Sequence, residues 1–142
     1  MASIPDDDLP DLFLRTSKRI RGNQVSRLAP LGLTPAQARA LRIIGRAPEP
    51  LTMSVLAEHL GIVPRSATTV VDALAAADLV TRAPDPANRR STLVTPTEAG
   101  HKVLASMADA RRAAASELFS ALTPEQRKTL HDLLEVLLGD AE

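Results

Sequence analysis

Within six positions the chain places Pro64, Arg65, Ser66, Thr68 and Thr69. At this spacing these residue types supply neither a general base nor a set of metal ligands. They supply one forked cation and three short hydroxyls at the start of a predicted helix. That is chemistry for recognition. Arginine can donate two parallel bonds to guanine O6 and N7, and threonine can bond a base edge or touch a thymine methyl. The hydroxyls can also bond phosphate oxygens. Downstream, Arg89 and Arg90 stand side by side in the polar, proline-rich segment Ala83–Arg90. From such a loop an arginine can enter a narrow, electronegative minor groove. Asp85, four residues before Arg89, is expected to pair with it and hold the loop in shape.

The elements around these residues read as a helix-turn-helix followed by a hairpin. Thr52 can cap a short helix over 53–60 that turns Val55, Leu56 and Leu60 inward, and Gly61 falls where a left-handed residue ends a helix. Pro64 then opens a helix over 64–77, with Ala67, Val70, Val71 and Leu74 on its inward row at steps of three and four. Ala67 is small for such a row, so a neighbouring helix must come close there. Short helix, glycine joint and second helix make the helix-turn-helix pattern, whose second helix leads into the major groove with its N-terminal residues. Ala73, Ala75, Ala76 and Ala77 add no charge, so contact should concentrate in the first two turns. Leu79–Arg82 and Ser91–Val94 read as paired strands flanking the loop.

Four more helices or helix starts frame this unit. Apolar residues from Leu9 to Leu31 recur at a helical period, predicting a helix over 9–29 that ends near Pro30–Gly32. Thr34-Pro35-Ala36-Gln37 and Thr123-Pro124-Glu125-Gln126 are capping boxes with proline at the first helical position. They start helices over 35–46 and 124–138, and a long helix is expected over 97–120. Leu104, Met107, Ala114, Leu118 and Leu122 lie along the long helix, and Leu130, Leu133, Leu134, Leu137 and Leu138 on the last. A winged-helix core does not need these apolar stripes. Either they pack on one another within one chain or they form an intertwined dimer interface, which is the more economical reading. The fold class is therefore mostly α with a small β-hairpin: one domain over 9–138, a DNA-reading lobe over 34–97 (helix-turn-helix 53–77, wing 79–95), and dimerisation helices over 9–30 and 97–138.

Composition bounds the rest. The 142 residues are 44% hydrophobic with no cysteine, which excludes disulfides and thiolate sites. No apolar run reaches the roughly 18–20 residues of a membrane span, and the acidic N-terminus lacks a signal core, so a cytoplasmic protein is expected. Net charge is zero, which argues against a nucleic-acid partner until its distribution is considered. Residues 35–96 hold seven arginines against five acids, and Arg15–Arg27 holds five bases and no acid. Residues 97–142 hold eight acids against five bases. His59, His101 and His131 lie on separate predicted helices, so no metal site is expected. No catalytic constellation is placed, and a non-enzymatic role is expected. Asp6-Asp7-Asp8 reads as part of a frayed tail over 1–8.

The stretch from Leu60 to Gly100 resembles the MarR (multiple antibiotic resistance regulator) family of transcription factors. The resemblance rests on Val71-Asp72 with Leu74, Asp78-Leu79-Val80, Asp85-Pro86, Arg89-Arg90, and Thr97 with Gly100. Upstream, Leu33-Thr34, Gln37 and Leu41 match as well. It implies a homodimeric winged helix-turn-helix regulator, a repressor, on double-stranded DNA at a pseudo-palindromic operator. It also implies a small-molecule effector, an aromatic acid or other phenolic compound, with binding residues the sequence does not select. The chain departs from the family pattern in four places. Val63 stands where a capping Ser or Thr is usual, Asn88 replaces the wing's Asp, and the late recognition helix has alanines for basic residues. Pro96 replaces a Leu, so the second strand should stop at Thr95, and either Thr95 or Thr97 could cap the long helix. The competing reading is a winged-helix protein–protein interaction module that binds no DNA.

Overall fold

The computed structural model describes residues 8–139. The tail expected over 1–8 lies outside the described residues except for Asp8, which already begins a helix. The elements run α1 (Asp8–Leu28), a 3-10 turn (Ala29–Leu31), α2 (Pro35–Arg46), β1 (Leu51–Thr52), α3 (Met53–Leu60), α4 (Pro64–Ala76), β2 (Val80–Asp85), β3 (Asn88–Pro96), α5 (Glu98–Phe119) and α6 (Pro124–Leu138). Every expected helix is present to within a residue or two. Both capping boxes form in full: Gln37 N–H donates to Thr34 Oγ1 at 3.2 Å, and Gln126 N–H donates to Thr123 Oγ1 at 3.2 Å. In each box the glutamine side chain accepts from the threonine backbone in return.

Backbone packing divides the chain into two units, 25–110 and 8–24 with 111–139. The first is a winged-helix core. Leu41, Leu56, Val71, Leu74, Val80 and Val94 are its largest fully buried side chains, contributed by α2, α3, α4, β2 and β3. α4 packs on both α2 and α3, and Ala67 is completely buried, as its size in the inward row required. Val55 departs from expectation at 37% exposed. Residues step about 100° around a helix, and the buried face of α3 is Leu56, Ala57 and Leu60, which leaves Val55 at its edge. A second cluster in this unit joins Leu28, Ala38 and Met107.

The sheet is larger than the expected hairpin. It has three strands in the order β1-β3-β2, all antiparallel. β1 is only Leu51 and Thr52, paired with Val94 and Leu93. Two residues following a proline carry no periodicity, so only the partner strand makes them a strand. β2 and β3 pair over most of the segment read as loop, with Ala83 opposite Leu93 and Pro84 opposite Thr92. Pro84 is tolerated because β2 is an edge strand, where a missing N–H breaks no ladder. β3 does not stop at Thr95: Pro96 pairs with Val80, past the reach of β1.

In the other unit the helices show much apolar surface. α6 has no buried residue, and Leu133, Val136, Leu137 and Leu138 are exposed on it. On α1, Leu9, Leu12, Phe13 and Leu14 are exposed likewise. Ala114 is completely buried and Leu118 half-buried, whereas Leu122 lies beyond the end of α5.

Candidate nucleic-acid interface

The joint between α3 and α4 is built from backbone and one arginine. Gly61 takes φ 67°, and Ile62 N–H donates to Ala57 O at 3.1 Å, closing α3 in a left-handed cap. The last carbonyls of α3 still need donors. Arg39 reaches from α2 and donates to Leu60 O at 3.2 Å and His59 O at 3.4 Å. In sequence Arg39 is legible only as a charge; its role depends on a partner 21 residues away.

α4 then presents the predicted reading surface. Val63, at its N-cap, has extended backbone and makes no side-chain cap bond, as the substitution for Ser or Thr implied. Arg65, Ser66, Thr68 and Thr69 are all exposed, as is Pro64. The two threonine hydroxyls are partly engaged, Thr68 Oγ1 donating to Pro64 O at 3.0 Å and Thr69 Oγ1 to Arg65 O at 3.3 Å. Among the described residues no carboxylate pairs with Arg65, Arg89 or Arg90, so all three guanidinium groups keep their donors for an external acceptor.

The wing is shaped differently from expectation. Asp85 does not pair with Arg89. Its Oδ1 accepts from Ala87 N–H at 2.9 Å, and Asn88 Oδ1 accepts from Arg90 N–H at 3.1 Å. These are Asx-type turns, which satisfy the loop backbone locally. They work as well for Asn as for Asp, so the change at 88 does not loosen the tip. A register shift at Pro84/Asp85 accompanies the turn. Arg89 is thereby left free beside Arg90. The wing is tied to the recognition helix by Arg82, which pairs with Asp72 of α4. Both side chains are substantially exposed, so the bond orients the strand more than it stabilises the fold.

The hinge between wing and long helix resolves the choice of cap. Gly100 N–H donates to Thr97 Oγ1 at 2.9 Å, so Thr97 caps α5. Its hydroxyl also donates to Asp78 O at 2.6 Å. Asp78 sits at φ 61°, where α4 turns into β2, and Leu79 N–H donates back to Leu74 O at 2.9 Å. Thr97 thus joins the end of the recognition helix to the start of α5. Thr95 instead meets Thr81 across the sheet, Oγ1 to Oγ1 at 3.1 Å. A Cβ on Gly100 would lie 2.1 Å from Leu79 O, which explains the glycine three residues after the threonine.

Of the histidines, His131 comes together with Asp132 and Glu135 on α6, ligand atoms within 4.8 Å of one another. All three are exposed, and Lys128 already pairs with Asp132 at 3.5 Å. Lys128 and the His131 ring lie within reach of these exposed carboxylates, and water meets the rest.

A buried helical pair, a glycine joint, a second helix presenting an unpaired arginine and hydroxyls, and a tethered two-strand wing define a winged helix-turn-helix protein. A sequence model of the MarR family matches residues 31–91. The HTH-type transcriptional repressor Rv2887 of Mycobacterium tuberculosis is 32% identical over 141 residues, spanning 99% of this chain and 100% of that one. The chain belongs to the MarR family of DNA-binding transcriptional regulators. Among solved structures, Tm0710 from Thermotoga maritima superimposes with TM-score 0.83 at 26% identity, covering 94% of each chain. Rv2887 in complex with p-aminosalicylic acid superimposes with TM-score 0.66 at 29% identity, covering 91% of this chain and 97% of the other.

Proposed function

We propose that this protein is a homodimeric transcriptional repressor that reads a pseudo-palindromic operator and releases it on binding an aromatic acid. α4 enters the major groove with Pro64, Arg65, Ser66, Thr68 and Thr69, and the wing sets Arg89 and Arg90 at the adjacent minor groove. The observation that carries this reading is the set of unpaired arginines, Arg65 on the helix and Arg89 with Arg90 on the wing, in one packed unit. The similarity to a named repressor over essentially the whole chain supports repression.

The exposed apolar side chains of α1 and α6 support a dimer. Leu133 and Leu137 are 58% and 71% exposed. Burying such side chains is worth about 1.5–3 kcal/mol each, and patches of that kind mark association surfaces. The two recognition helices should then lie about 34–36 Å apart, one DNA turn. An effector site is offered by a cleft of about 230 Å³ between α1 and α5, walled by Leu12 and Leu118 with Arg15 and Arg19 beside them. Apolar walls beside guanidinium groups suit an aromatic carboxylate, the chemistry that Rv2887 holds in its solved complex. An effector favouring a lobe spacing unmatched to successive grooves would release DNA.

The test is duplex binding across salt concentrations, with the oligomer followed by sedimentation. A dimer whose affinity falls steeply with salt is expected, since each phosphate contact contributes close to one unit of slope. A monomer, or no duplex binding at low salt, refutes the reading and favours a protein–protein module. Addition of p-aminosalicylate should weaken duplex binding by the wild type and not by Arg19→Ala.

A further inference from the structure

The start of α4 is unusual for a surface that must read polar groove edges. Val63 is 63% exposed at the N-cap, and the neighbouring Ile62 is 37% exposed. Pro64 adds a ring with no N–H. The hydroxyl protons of Thr68 and Thr69 are both given to backbone carbonyls one turn back. Those two side chains are left with acceptor lone pairs and methyl groups, and only Arg65 and Ser66 keep free side-chain donors.

We infer that the recognition helix reads thymine methyl groups, with Val63 as the specificity-determining residue beside an Arg65–guanine contact. In the major groove the C5 methyl of thymine is the only apolar feature of the four bases, and short apolar side chains recognise it. An isopropyl group at the leading end of the helix, with no cap bond to hold it back, is placed to cover such a methyl. A serine or threonine there would offer its oxygen to the helix N–H groups or to a phosphate. The exchange to Val63 trades a positioning contact for an apolar one, and directs this chain to half-sites in which thymine flanks guanine. This inference rests on the assignment of α4 to the major groove.

The test begins with selection of bound duplexes from a random pool. Each thymine of the selected half-site is then replaced by deoxyuridine, which removes the methyl and nothing else. Burying one methyl-sized group is worth about 0.8 kcal/mol, so one replacement should weaken wild-type binding roughly four-fold. The same replacement should leave Val63→Ala unaffected. Val63→Ser, which can cap α4 and so folds at least as well as the wild type, should also be insensitive to it. A selected motif without thymine, or a wild-type protein indifferent to every uracil, overturns the inference while leaving DNA reading intact. Failure to enrich any duplex overturns both.

Discussion

Gly100→Ala should cripple the hinge between the wing and α5. The added Cβ would stand 2.1 Å from Leu79 O, 3.1 Å from Leu79 C and 3.4 Å from Pro96 Cβ, whereas ordinary contact begins at 3.4 Å. The obstacle is backbone, so no side chain can swing aside. Leu79 N–H is held to Leu74 O, and Thr97 N–H to Leu79 O at 3.0 Å, which pins that carbonyl from both directions. Relief requires moving α5 away from the start of β2, and that breaks the Thr97 bonds to Gly100 and Asp78. Overpacking costs about 1–3 kcal/mol and a lost cap about 1 kcal/mol, for a loss of roughly 2–4 kcal/mol. An unfolding entropy of about 2.1 cal/mol/K per residue gives a 142-residue chain roughly 3–4 °C per kcal/mol, so Tm should fall by roughly 6–16 °C. Thermal unfolding at one fixed protein concentration measures it, because a dimer's Tm depends on concentration. A Tm within about 2 °C of the wild type would refute the pinned-carbonyl argument.

Other outcomes follow from the same contacts. Thr97→Val should cost about 1–2 kcal/mol in denaturant unfolding, since it removes the cap and the Asp78 bond, whereas Thr95→Val, losing one exposed pair, should cost under about 0.5 kcal/mol. Asp78→Gly should raise stability by up to about 1 kcal/mol, because the residue sits at φ 61° without being glycine; a lowered Tm would contradict this. Arg89→Ala should weaken operator binding by about 1–3 kcal/mol in a mobility-shift titration with no change in Tm, and Arg65→Ala should relax the selected-site motif at one position.

Local grammar carried the helices. The threonine–proline–glutamine boxes, Gly61 and the three-and-four spacing of α4 state a conformation within a few residues. Their hydrogen bonds span three or four positions, and the structure places them where the sequence implied. The exposure of Pro64, Arg65, Ser66, Thr68 and Thr69 was legible for the same reason, since they lie in one turn and a half of a helix whose inward row is unambiguous. The wing arginines were legible as free charges in a polar loop, but not the manner in which the loop is held. Asp85 chose Ala87 N–H over Arg89 because a turn offers a fixed donor two residues away, and a long flexible side chain does not.

What the sequence by itself determined, then, is which segments are helical, which face of each is apolar, and which polar residues are spare. Only the tertiary structure decided the contacts between distant segments. It made a strand of Leu51–Thr52 by supplying β3 as a partner, and it extended the hairpin through a proline by leaving β2 at an edge. It gave Arg39 to the end of α3, Arg82 to Asp72, and Thr97 to the left-handed carbonyl at Asp78. The three side-chain bonds join groups 10, 19 and 21 residues apart, and β1 pairs with a strand more than 40 residues further along. Their energies depend on distances that no local pattern records, because those distances are set by how separate segments pack.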